Sequence, residues 1–277
     1  GTPGAACSTI GSTGVHMRAV RDTDVRLGGN SGYVICLPAA HMVTQVQTNM
    51  AATLNIDWAL RMAADLMSET GHLHDYADLV ARIDDWLARS EPGQILYHPY
   101  VSEAGERGPM VNANARAGFI GLSSGHSFPD LIRAVVESLG MAARDCYGAM
   151  DELPRELRLT GGAAQSNSLR AILSAAVGAP VRVSDRKEAG AAGCAMMAAV
   201  AIGAYSDMES CVAEWVSPLL GEAEVPDPEL QAIYAELYPV YVEAREALVP
   251  VWDRLAGHRD QRAAPKMNAS KTVQGGS

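Results

Sequence analysis

Two short apolar runs, residues 5–10 and 15–20, are separated only by Gly11-Ser12-Thr13-Gly14. A link that short leaves two neighbouring strands one arrangement, an antiparallel hairpin, and small residues suit its tight tip. Residues 33–37 and 42–46 read as two further strands, so the chain opens as a β-meander. The pattern then changes to helical spacing over residues 51–67, where Leu54, Trp58, Met62 and Leu66 form one stripe expected to face inward. Residues 76–87 continue in helix, with Leu79, Ile83, Trp86 and Leu87 inward. Short strands at 95–97 and 119–120 flank an aperiodic polar loop over 102–116.

Ser127 caps a long helix with Pro129 in its first turn. Phe128, Leu131, Ile132, Val135, Leu139, Ala142 and Cys146 form its apolar face. A strand over 157–159 runs into Thr160-Gly161-Gly162, and a helix over 167–177 follows, stopped by Gly178. After a strand at 181–183, residues 188–204 form a helix of small apolar residues that reads as buried. Residues 207–215 and 228–255 are further helices. Residues 257–277 are polar and without pattern, which predicts a disordered tail behind a folded unit over 1–256. Strands first and alternating units afterwards argue for an α/β fold, with an antiparallel region joined to parallel strands.

Composition narrows the function. The formal net charge of -10 disfavours nucleic acid and anionic membranes as partners, but backbone amides can still bind phosphate locally. Five cysteines, odd in number and never spaced as CxxC, fit a reducing, cytoplasmic compartment. The longest apolar run, 189–204, is short for a membrane span, and residues 1–4 lack the basic and apolar regions of a signal peptide.

Four motifs invite a chemical reading. The tip Gly11-Ser12-Thr13-Gly14 can turn N–H groups and two hydroxyls toward one anion, or serve as a plain tight turn. Gly161 and Gly162 lie between a strand and a helix capped by Ser166 or Asn167. There a flat ring or a phosphate can approach the backbone, although the connection is also a common one. Gly121-Leu122-Ser123-Ser124-Gly125 fits the G-x-S-x-G pattern of serine hydrolases, with His258 downstream. However, an elbow serine leads directly into its helix, and here the helix starts only after Ser127. His72 and His74 stand in a polar turn with no third ligand near in sequence and read as solvated loop.

The stretch Ala117-Gly118-Phe119-Ile120-Gly121-Leu122, followed by residues 130–137, resembles a signature of the FGGY carbohydrate kinases along its whole length. The Gly161-Gly162 turn resembles that family's adenosine motif, Gly11-Ser12-Thr13-Gly14 its second phosphate hairpin, and Glu188-Ala189-Gly190-Ala191-Ala192-Gly193 the helix that follows the adenosine motif. The resemblance covers residues 7–256. It implies an RNase H-like (actin-like ATPase) domain with a mixed sheet flanked by helices, the nucleotide-binding C-terminal domain of such a kinase.

By the resemblance, Gly11, Ser12, Thr13 and Gly14 meet the β- and γ-phosphates of ATP, accompanied by Mg2+. Gly161, Gly162 and Ala163 pack on adenine and ribose, and Ser166 or Asn167 bonds the adenine edge. Thr53 and Asp57 lie in a helix-start loop that closes on the nucleotide, where the family often has Gly in place of Thr53. No catalytic residue and no metal ligand is assigned within the sequence. The catalytic Asp of the family's Gly-x-x-Asp segment and most sugar contacts belong to an N-terminal domain, so the chain alone is expected to be inactive. Residues 10–18 and 49–58 are similar to erythritol and related polyol kinases, which implies a small polyol or ketose as substrate. A homodimer, a non-catalytic interaction module on the same fold, and a hydrolase using Ser123 remain as alternatives to test.

Overall fold

The computed structural model describes residues 3–28, 30–72, 75–184, 186 and 188–263. The hairpin forms where the short link dictates. Strands β1 (Ala6–Ile10) and β2 (Gly14–Arg21) run antiparallel with Ile10 opposite Gly14. Strands β3 (Tyr33–Cys36) and β4 (Met42–Asn49) complete the meander, β4 pairing with β2 and β3 forming the edge. Helices α1 (Thr53–Glu69), α2 (Tyr76–Ala81) and α3 (Ile83–Ala88) follow, the last two separated at Arg82 where the sequence pattern predicts one helix. Strands β5 (Leu96–His98) and β6 (Gly118–Ile120) form a separate two-stranded sheet.

Helix α4 (Phe128–Gly148) begins as the sequence predicts. The Asp130 carboxylate accepts from both the N–H and the hydroxyl of Ser127, each at 2.7 Å, and these bonds hold its pKa below the usual carboxylate range. Strand β7 (Leu157–Thr160), helix α5 (Asn167–Val177) and strand β8 (Val181–Val183) add the parallel part of the sheet. Gly178 ends α5 in the left-handed conformation, its N–H bonded to Ser174 O. Helices α6 (Ala189–Ala201), α7 (Met208–Trp215) and α8 (Pro228–Ala263) complete the described chain.

The main sheet has the order β3-β4-β2-β1-β7-β8, antiparallel through β1 and parallel beyond it, which is the mixed sheet that the alternation of elements predicts. Helix α4 lies against β2, β4 and α5, and α5 meets α8. Ile132, Val135, Leu157, Leu159, Leu173 and Val181 form the centre of the core between them. Polar groups fasten α8. Glu137 of α4 accepts from the Tyr234 hydroxyl at 3.0 Å, and Asp145 pairs with Arg245 and accepts from Tyr238.

Three further sequence expectations change. Most of the α1 stripe faces outward: Met62 is 51% and Leu66 69% exposed, Trp58 alone of the four packs against the core, stacked on Tyr97, and Asn55, Ile56, Ala59 and Leu60 are buried instead. The first turn sets this rotation, because Tyr97 donates to Asn55 Oδ1 at 3.1 Å and the backbone of Ala52 and Thr53 is tied to the hairpin. The α6 helix is not buried either. Of its side chains only Met196 is enclosed, against Met208 and Cys211 of α7, the element that α6 packs on. Finally, α8 runs through Gly257 to Ala263, seven residues into the region that reads as tail; residues 264–277 lie outside the described residues.

Candidate nucleotide site

The hairpin tip and the Gly161-Gly162 turn leave the sheet side by side, because β1 and β7 are parallel neighbours with Thr9 opposite Thr160. Gly161 has φ +91°, and a Cβ there would lie 2.5 Å from Ile10 O. Only glycine permits that approach. The start of α1 joins from the other side: the N–H of Ala52 donates to Ser12 O at 2.7 Å and that of Thr53 to Gly11 O at 2.9 Å.

These bonds leave the tip's own donors free. Gly11 N–H closes the tip on Thr13 O at 3.0 Å, but among the described residues nothing accepts from the N–H or hydroxyl groups of Ser12 and Thr13. Both residues are exposed, which is the donor set an anion requires. Thr53 is half-buried beside them. Asp57, one turn into α1, accepts from the Tyr76 hydroxyl. Burial first, then the bond to Asp57 and its charge, push the Tyr76 phenol up to about 12.

Across the tip, Gly162 is exposed and a Cβ there would meet nothing within 4 Å, so the turn presents open backbone. Ala163 lies in the short 3-10 turn Gly162–Gln165. Of the two candidate caps, Ser166 is the one used: its Oγ accepts from Leu169 N–H at 3.2 Å and donates to Asp84 at 3.4 Å. Asn167 is exposed, and its Oδ1 accepts from Arg170 at 2.6 Å. Arg170 also reaches Ala164 O at 2.8 Å and pairs with Glu224 at 2.8 Å.

Beneath the tip runs a buried polar relay whose directions follow from the acceptor-only and donor-only ends of Asn49. Asn49 Nδ2 donates to Gly108 O at 2.7 Å, leaving Oδ1 to accept from His16 Nε2–H at 3.0 Å. His16 Nδ1 then accepts from the Ser8 hydroxyl at 2.8 Å, and Ser8 Oγ accepts from Tyr147 at 3.0 Å. Burial pushes the His16 pKa down to about 4, so the ring is neutral near pH 7. Gly14 is the close contact above it, since a Cβ there would sit 3.1 Å from His16 Nε2.

The structure thus brings Gly11, Ser12, Thr13, Gly14, Thr53, Gly161 and Gly162 to one end of the central strands, with Ser166 and Asn167 at the start of α5 beyond the turn. Asp57, one turn into α1, is bonded there to Tyr76. The supporting residues Tyr76, Asp84, Arg170, His16, Asn49 and Glu106 are not apparent from sequence reasoning. Arg170, three residues after Asn167 on a helix, is the one whose spacing could have shown it.

Ser123 does not carry a nucleophile's geometry. An elbow serine leads straight into its helix, whereas α4 starts five residues after Ser123; the Ser123 N–H donates to His126 Nδ1 at 3.0 Å, and its Oγ lies at the long distance of 3.5 Å from the same nitrogen. Among the described residues no group of three His, Cys, Asp or Glu side chains could hold a metal ion; His74 lies outside them. No described helix is long and apolar enough to cross a membrane.

Residues 6–202 match the FGGY family of carbohydrate kinases, C-terminal domain. The chain belongs to this family. It is 66% identical over 257 residues to the erythritol kinase of Brucella abortus, covering 92% of this chain and 49% of that protein. Among solved structures, the gluconate kinase of Lactobacillus acidophilus superposes with a TM-score of 0.77 at 21% identity, covering 91% of this chain and 49% of that one. The Plasmodium falciparum glycerol kinase, solved with ADP, superposes with a TM-score of 0.70 at 15% identity over 88% of this chain and 47% of that one. The chain therefore spans about half the length of the relatives it matches. The likeness in structure shows the RNase H-like, actin-like ATPase fold, and the G-x-S-x-G match falls within the family's domain.

Proposed function

We propose that this chain is the nucleotide-binding half of a kinase that moves the γ-phosphoryl group of ATP to a hydroxyl of a small polyol, erythritol or one of similar size. The observation that carries the reading is the hairpin tip with its free N–H and hydroxyl donors, joined side by side to the open Gly161-Gly162 turn. Ser12 and Thr13 hold the terminal phosphates, Gly161 to Ala163 support the base and ribose, and Ser166 or Asn167 meets the base edge. Thr53 and Asp57 border the phosphates. The choice of polyol rests on the 66% identity to an erythritol kinase.

Mg2+ supplies charge neutralisation on the phosphates when bound. By the resemblance to the family, the carboxylates that accompany it lie on the N-terminal domain, and it comes to this chain bound to the nucleotide. The same half supplies the base that accepts the hydroxyl proton, and we place the protein in the cytoplasm, where ATP is available. Titrating Mg-ADP against the chain tests the site. Amide shifts at Ser12, Thr13, Gly161 and Gly162 are expected, and none at millimolar nucleotide would overturn it. ADP release by the complete polypeptide, compared across erythritol, glycerol and xylulose, tests the substrate; equal kcat/KM for all three would remove the polyol assignment.

A further inference from the structure

We infer that Glu106 is the positioning residue of the phosphate hairpin, an inference that rests on the nucleotide reading above. Glu106 lies in the loop between β5 and β6, far from the tip in sequence, and is 1% exposed. Its Oε1 accepts three backbone N–H groups: Met50 at 2.9 Å, Arg107 at 2.7 Å and Gly108 at 3.3 Å. Met50 is the residue at which β4 has ended and α1 has not begun. Two residues on, Ala52 and Thr53 donate to Ser12 O and Gly11 O. The carboxylate therefore fixes the segment on which the tip is hung.

The same loop grips the tip from below. Gly108 O receives Asn49 Nδ2, and the relay continues through His16 on β2 to Ser8 on β1. Both strands under the tip and the helix start beside it converge on a loop organised by one carboxyl group. The second oxygen of that group, Oε2, has no partner among the described residues. A buried carboxyl with one oxygen on three amides and the other idle is costly, which marks its place as serving geometry rather than stability. Burial, opposed by the three amide bonds, pushes its pKa up to about 7. Tyr100 of its own loop, Tyr241 of α8 and Cys146 of α4 are the titratable groups around it; beyond Tyr100 stands Arg245, already paired with Asp145.

Two variants and two ligands test this. In the nucleotide-free wild-type chain, the Ser12 and Thr13 amides should titrate with the same midpoint as the Glu106 carboxyl carbon. In Glu106→Gln that titration should vanish while ADP still binds, because the amide oxygen keeps the acceptor. In Glu106→Ala, ADP affinity should fall about tenfold or more while adenosine stays within about twofold, since only the phosphate contacts depend on the tip. Tip amides that titrate unchanged in Glu106→Gln would overturn the inference. So would equal losses of ADP and adenosine, or no loss, in Glu106→Ala. If Glu106→Ala does not fold, the Gln variant decides alone. If the wild type fails to bind ADP, the nucleotide reading falls, and the amide titration still decides whether Glu106 positions the tip.

Discussion

Helices α4 and α6 are both rich in apolar residues, yet one is the spine of the core and the other lies on the surface. Helix α4 alternates its chemistry. Ile132, Val135, Leu139 and Cys146 belong to its apolar face, and of the polar groups that do go inside, Glu137 and Asp145 have partners on α8 while Ser138 donates back to Val135 O. Helix α6, Ala-Gly-Ala-Ala-Gly-Cys-Ala-Met-Met-Ala-Ala-Val-Ala, is apolar on every side, and the α7 cluster encloses Met196 and partly covers Val200. Periodicity tells a helix which way to face; hydrophobicity without periodicity tells it only that contact is needed, and this chain supplies that contact on one side.

The contrast can be broken by mutation. Ile132→Ala on α4 should lower unfolding free energy by about 2–5 kcal/mol in urea titrations, through lost burial and a residual cavity. An effect under about 1 kcal/mol would mean that α4 is not the spine. Protons probe the same interior. Glu106, beside Cys146 of α4, has its folded pKa raised to about 7 from an ordinary 4.5, so its contribution is fully present below 4.5 and is lost as pH rises through 7. That loss amounts to roughly 3 kcal/mol, and Glu106→Gln should flatten it. His16 acts with the opposite sign: its folded pKa is lowered to about 4, so stability present above 6.5 is lost as pH falls through 4.

A single type of substitution should change sign between the two helices. At Gly140 of α4 an added Cβ would lie 2.8 Å from the Ala176 Cβ of α5, and Gly140→Ala should cost about 1–3 kcal/mol. At Gly193 of α6 a Cβ meets nothing within 4 Å, and Gly193→Ala should stabilise the chain by about 0.4–1 kcal/mol through helix propensity. Loss of that gain in the complete polypeptide would show α6 covered there. Ile202→Ala, at a side chain 81% exposed, should stay within about 0.5 kcal/mol by the same denaturant measurement.

Much of the fold was legible because it follows local rules. The four-residue link between two apolar runs admits only a hairpin, Ser127 and Asp130 cap α4, and Gly178 ends α5. The Gly11-Ser12-Thr13-Gly14 tip and the Gly161-Gly162 turn were legible as separate motifs, and the structure brings them together at one end of the neighbouring strands β1 and β7. What was not legible depends on contacts between distant residues. The rotation of α1 is set by Tyr97 and by hairpin carbonyls rather than by its own apolar stripe, so Leu54, Met62 and Leu66 gave the wrong face and only Trp58 of the stripe reaches the core. Glu106 sits in a polar loop without periodicity, and nothing near it in sequence announces that its carboxylate will close on Met50. Tyr76 and Asp84 support their partners across 19 and 82 residues of chain, beyond the reach of any spacing rule.

The contact of Gly161 with Ile10 has one more consequence. With 2.5 Å between Ile10 O and the place where a side chain would begin, any side chain at residue 161 would have to push the two loops apart. On the proposed nucleotide reading, a molecule long enough to touch the open turn and the free donors of Ser12 and Thr13 would engage both loops at once, and a shorter one would reach a single loop. Discrimination between a nucleoside and its phosphates would then come from span as much as from charge.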